Sequence, residues 1–403
     1  MTYDRSTQLR VIAIVIAALT TEAAARAGLW LLETRDIEYE PLVESLGPGQ
    51  RDALEKIVSG TSRMLMFDAE LGWTIRPGGE HPPLYRANSQ GVRADREFAP
   101  EPPAGVVRVA AFGDSFTHGD DVSNQDTWTA LLQTPSREVL NFGVPAYGLD
   151  QAYLRYRRDG RQYRAHFVLI GFMSHDIVRS VSVYRPFHFP TTSVPLSKPR
   201  FQIEEDSLAL ITNPIRNVQQ YRTLLDSPTA LLPRLGAADY FYRTRERAGA
   251  LDVLAAVRLG KLAVGVIRRA NGPHRQGYFN PGSEAFRVTL ATMDRFVRDV
   301  RADGATPLIV LFPPRDDLQR YWQNHTRSYD PLRAALDSAG LPYVDVMDAF
   351  EGCSPRYVRQ LVKGHYTPIG NARVAAFLSE RLPGAPPYTG TSRNRPGCGA
   401  SPP

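Results

Sequence analysis

Cysteine is scarce in this chain: two residues in 403, Cys353 and Cys398. Two distant thiols match neither the clustered ligands of a zinc site nor a Cys-x-x-Cys redox pair, so no metal or other cofactor is implied. In an exported protein they would form one disulfide tying the tail to the domain; in the cytosol they would be inert thiols. Nucleic-acid motifs are missing too. The formal net charge is +6 and the sequence pI about 9.3. That surplus favours anionic surfaces such as phospholipid or acidic polysaccharide. However, the Arg-rich stretches at 155–164 and 243–249 are interleaved with acids or aromatics and read as solvated faces. No internal repeat is evident. A hydrophobic content of 43% with 22% charged residues excludes disorder over the whole length.

What is present begins with an apolar run. Arg5 and Arg10 precede "VIAIVIAAL" (Val11–Leu19). A basic flank before such a run is an export signal. One form is a membrane span from Val11 to Leu32, long enough to cross a bilayer. It would carry Glu22 and Arg26 near its middle, at ~2.5–3.5 kcal/mol each on insertion scales. Their i,i+4 spacing lets them pair and lessens that cost. Another form is a signal peptide, with Ala23–Ala25 offering small residues for cleavage. A third is an ordinary amphipathic helix. The first two make the chain membrane-associated and extracytoplasmic, periplasmic or at the cell surface, with residues 40–403 outside the cytoplasm.

Residues 34–105 read as a lead-in of loops and short strands, closed by the linker "APEPPAG" (99–105). From 106 to 382 strands and helices alternate. The strands are 106–112, 138–144, 166–173, 306–314 and 342–350. The helices are 127–133, 150–160, 285–304, 331–340 and 367–382. Buried apolar strands alternating with amphipathic helices predict an α/β fold, a parallel five-stranded sheet covered on both faces. An insertion at about 178–283 follows the third strand. It contains a predicted β-hairpin over 198–212 and a helical, amphipathic stretch over 227–269. This is either a lid beside the substrate groove or a structural decoration. The Pro- and Gly-rich tail 383–403 is expected to be disordered.

In an open parallel sheet, ligands bind beyond the carboxyl ends of the strands. Four unusual segments fall there: "FGDSFTHG" (112–119), "NFGVPAYG" (141–148), "GFMSHDI" (171–177) and "GHYTPIGN" (364–371). A serine hydroxyl is a poor nucleophile until a base takes its proton. His365 is the candidate base for Ser115. The Ser115 N–H, at a strand-to-helix turn, is a candidate oxyanion donor. His118 reads as a wall residue. Asp114 and Asp176 read as supports that hold their loops through backbone N–H groups.

These four segments, in this order, resemble the four blocks of the SGNH (GDSL-type) hydrolases. The lead-in "ELGWTIRP…RANSQGVR" and "KPRF" resemble a membrane-anchored branch of them. The resemblance implies a three-layer αβα flavodoxin-like fold and ester hydrolysis or acyl transfer, with Ser115 as nucleophile and His365 as base. Its oxyanion donors would be the Ser115 N–H, a second-block N–H and a third-block side chain. Three positions depart from the pattern. The second-block donor falls at Ala146, with Gly143 and Gly148 nearby. His175 replaces the third-block Asn, ahead of Asp176. Val362 stands where an Asp normally orients the histidine, leaving Asp345 and Asp348 as the carboxylates nearest in sequence. The expected partner is an acylated small molecule or polysaccharide, with an O-acetylated envelope carbohydrate suggested by the family. The alternative is a binding module for an envelope glycan that keeps the pocket without efficient chemistry. No nucleic-acid partner is expected.

Overall fold

The computed structural model describes residues 4–382, apart from 36, 43 and 272–276. Cys398 and the tail expected to be disordered lie outside the described residues. The first element is a single helix, α1 (Arg5–Glu33), whose apolar run is bare.

Five parallel strands form the central sheet: β1 (Val107–Phe112), β2 (Arg137–Asn141), β3 (Phe167–Met173), β6 (Thr306–Phe312) and β7 (Tyr343–Asp345). Their spatial order is β7-β6-β3-β1-β2. This is the doubly wound flavodoxin-like order, in which the chain reverses direction across the sheet between the first and third strands. The strands are apolar throughout because both faces are covered. Side-chain alternation sorts each strand between two cores. Ala110, Phe112, Leu140, Val168, Ile170, Ile309 and Leu311 pack with Phe286, Met293, Phe296 and Val300 of α6 (Glu284–Ala302). Val109, Ala111, Val139, Leu169, Val310 and Phe312 face Val374, Phe377 and Leu378 of α9 (Pro368–Ser379). The layers are helix, sheet, helix.

The insertion after β3 includes the expected hairpin, β4 (Arg200–Glu204) with β5 (Ser207–Ile211). The helical stretch expected over 227–269 is broken into several pieces. Asp239 caps one break by accepting the N–H groups of Phe241 and Tyr242. The last piece is the 17-residue α5 (Ala255–Asn271). Two other expectations were too long. The helix expected over 127–133 is one turn, Trp128–Leu131. The strand expected over 342–350 ends at Asp345, whose carboxylate accepts the Met347 N–H and turns the chain into a 3₁₀ helix.

Candidate active site

Ser115 opens a one-turn helix, α2 (Ser115–His118), directly beyond β1. Asp114 caps it, accepting the Phe116 N–H at 2.9 Å. The turn packs directly against glycines that leave room for it. A Cβ on Gly171 would stand 2.1 Å from Thr117 Oγ1, and one on Gly143 would stand 2.2 Å from the His118 backbone nitrogen. Asn141 locks the same junction. Its amide donates to the carbonyls of Thr117 and His118, and its oxygen accepts the Gly143 N–H. Gly143→Ala therefore meets backbone that cannot move aside. It is expected to destabilise the protein by at least ~2–3 kcal/mol, as severe overpacking does, read as a lowered urea midpoint; an unchanged midpoint would contradict this packing.

His365 reaches the same edge from the far end of the chain. Its loop is pinned on both sides. Tyr366 Oη donates to the Pro313 carbonyl at 2.9 Å, and Asn371 donates to the Tyr366 carbonyl while accepting the Trp128 N–H. The imidazole lies 5.3 Å, ring centre to ring centre, from Phe116, the neighbour of Ser115. Its Nδ1 meets Asp121 Oδ2 at 2.8 Å. Asp121, 244 residues away along the chain, is the carboxylate that meets this imidazole. Asp345 and Asp348 do not serve. Asp345 is buried among Tyr329, Arg327 and Arg333, and Asp348 pairs with Arg327. Val362, at the position of the usual Asp, is fully buried in the core instead.

Asp121 is presented by a left-handed turn, with φ of +69°. Arg93, from the lead-in, holds that turn by donating to the carbonyls of His118, Gly119 and Val122. His118 is the expected wall residue. It is buried, tilted against the Tyr85 ring at 4.9 Å between ring centres and bonded to Asp120, and burial pushes its pKa down to about 4.

Burial alone would lower the pKa of His365. The bond to Asp121, with Asp120 and Asp114 nearby, outweighs this and holds it above the ordinary imidazole value. The bond to His365 in turn lowers the pKa of Asp121. Ser115 Oγ makes no hydrogen bond among the described residues, and neither does His365 Nε2.

The other expected site residues divide into two groups. Ala146 adopts φ +69°, a left-handed conformation that costs a non-glycine residue about 1–2 kcal/mol. Among the described residues its N–H, like that of Ser115, has no acceptor. Two backbone donors are thus free. His175 is engaged elsewhere: its ring is 56% exposed and its Nε2 lies 3.0 Å from Asp316 Oδ2. That bond raises its pKa. Asp176 accepts the Met173 N–H, as a loop support should. It also shares the buried Arg179 with Asp114, at 2.5 and 3.4 Å. Burial, then the Asp114 charge, pushes Asp176 upward.

The first block ends β1, the second follows β2, the third follows β3 and the last opens α9, all at one edge beside the reversal point. The fold is the three-layer, flavodoxin-like αβα arrangement that the SGNH resemblance implies. No protein-family model matches the chain, and no curated protein does. Among solved structures it is similar to a G-D-S-L family protein from Desulfitobacterium hafniense, at 14% identity and a TM-score of 0.34, covering 68% of this chain and 99% of that one. It is also similar to a GDSL-like lipase from Bacteroides thetaiotaomicron (11%, TM-score 0.32, 68% and 86%). A third is LAE5, an α/β hydrolase enzyme from the metagenome of Lake Arreo, Spain (13%, TM-score 0.34, 68% and 94%). Scores this low carry no chemistry over to this chain. The strand order and the meeting of the four blocks at one edge agree with the fold the sequence resemblance implies.

Proposed function

We propose that this chain is a membrane-anchored, extracytoplasmic serine esterase working through Ser115 and His365. The observation that carries the reading is the Asp121–His365 pair, beside the nucleophile turn at the sheet's reversal point. With Nδ1 donating to Asp121, the neutral ring leaves Nε2 as a bare base. Nε2 takes the Ser115 hydroxyl proton as Oγ attacks the ester carbonyl. The Ser115 and Ala146 N–H groups hold the oxyanion. The carbonyl–alkoxy bond then breaks, the proton passes to the departing alcohol, and the acyl group stays on Ser115. Water, or a sugar hydroxyl in the transfer version, repeats the sequence and frees the serine. His175, with Nε2 donating to Asp316, can donate from Nδ1 only as imidazolium. An acylated envelope carbohydrate is the proposed substrate class.

Helix α1 reads as a retained anchor rather than a cleaved leader. Its 29 residues are long and apolar enough to span a bilayer, and Glu22 accepts the N–H groups of Ala255 and Ala256 at 2.9 and 3.1 Å. Cleavage at 23–25 would strip α5 of that cap.

The full chain in detergent should hydrolyse p-nitrophenyl acetate, with kcat/KM rising along a single limb as pH increases. The base acts neutral, and its folded pKa is raised, so the midpoint should lie above ~6.5. The competing reading, a glycan-binding module, draws on the unpartnered Ser115 Oγ and the diverted His175. Glycan binding without turnover of any short-chain ester would favour it and overturn the esterase.

A further inference from the structure

Fifteen of the twenty large apolar side chains exposed among the described residues lie in two places. Nine are on α1. The other six are Leu251, Val253, Leu254, Val264, Val266 and Ile267, in the insertion after β3. We propose that this part of the insertion, the tip 250–254 and the outer flank of α5, enters the outer leaflet beside α1 as a second membrane contact. The proposal rests on α1 spanning the bilayer.

The packing between the two helices sets the depth. Arg5 and Arg10 place the start of α1 on the cytoplasmic side. Some 20 residues cross a hydrocarbon core of about 30 Å, so counting outward from Arg10 leaves residues 22–29 in the outer leaflet. That stretch is where α5 docks. Glu22 caps its first turn, Gly28 lies open to Leu259, and Ala25 and Leu29 share a small core with Ala255 and Leu262. Helix α5 therefore starts level with Glu22 and runs alongside α1 toward Glu33. The tip that precedes it points into the bilayer.

The tip's polarity is inverted relative to a water-facing loop. Its one acid, Asp252, is turned inward, where it accepts from Tyr39 Oη at 2.7 Å, Lys261 Nζ at 2.6 Å and the Gly249 N–H. The exposed Arg268, near the far end of α5, has its charge paired with Glu246 of the same insertion. Asp252 and Lys261 thus face the protein, while Leu251, Val253, Leu254, Val264 and Ile267 face away from it, Val253 being 74% exposed. On a soluble helix these faces would be exchanged. Lipid is the occupant that continues the apolar surface α1 already presents.

The test uses the full chain in phosphatidylcholine/phosphatidylglycerol nanodiscs, with a nitroxide at Val253→Cys or Ile267→Cys. Labels at Ile14→Cys and Ser338→Cys mark the bilayer and water. Collision with molecular oxygen and with a water-soluble nickel chelate is measured for each. The proposal expects the Val253 label to lose nickel access and gain oxygen access, as at Ile14. If the Val253 label is as open to nickel as that at Ser338 while Ile14 is in lipid, the proposal fails and the anchor stands. If Ile14 and Val253 are both open to nickel, both fail. Low access to both reagents at Val253 would mean protein cover, from a second copy, and would also overturn it.

Discussion

Ser115→Ala is expected to cut the turnover of p-nitrophenyl acetate by at least about 10³-fold, toward the ~10⁶ that losing a serine nucleophile costs where the base is fully assembled. The expectation is unusually clean here. Ser115 is 6% exposed, yet its Oγ bonds nothing among the described residues, so truncation orphans no partner and the thermal midpoint should barely move. Its backbone N–H remains as an oxyanion donor, so KM should change little while kcat falls. Residual activity within tenfold of the parent would mean that the ester is cleaved elsewhere on the molecule.

Asp121→Asn is the second large effect. Losing a buried orienting aspartate can cost ~10⁴ in kcat, because the histidine takes the wrong tautomer. Asp121 is 62% exposed, and water can replace part of its role, so a fall of about 10²-fold is expected, equivalent to about 2.7 kcal/mol of barrier. The sign of the pH effect follows from the environment. Burial favours the neutral ring and Asp121 favours the charged one. Removing the carboxylate lowers the pKa of His365, so the rising limb of kcat/KM should move to more acid pH even as its plateau drops. Asp121→Glu should recover part of both. A structural role for Asp121 would lower the melting temperature without moving the limb, and an unmoved limb would contradict the orienting role.

Much of this was legible in the sequence, for identifiable reasons. The strands of the sheet are continuous apolar runs, and the first three are each followed by a segment whose composition only a site requires. That pattern puts Ser115, Ala146 and His365 at one edge of the sheet. The orienting acid was not legible. Sequence proximity favoured Asp345 and Asp348, whereas the partner, Asp121, is separated from His365 by most of the domain and becomes its neighbour only through the fold. A positive φ at a residue between Asp120 and Val122 leaves no mark that sequence reading detects. Arg93 was hidden in the same way, since a loop arginine looks solvated until the carbonyls it binds are known. The third-block histidine was legible as a departure from the pattern. What sequence could not supply was Asp316, which comes from the helix after β6 and draws the imidazole off.

The most direct test is the rate and position of phosphonylation by a fluorophosphonate probe, mapped by peptide mass spectrometry in the parent chain and in His365→Ala. A working pair predicts one adduct, on the peptide containing Ser115, formed far more slowly when His365 is absent. An adduct on another residue, or a Ser115 adduct forming at the same rate without His365, would show that these two side chains do not act together.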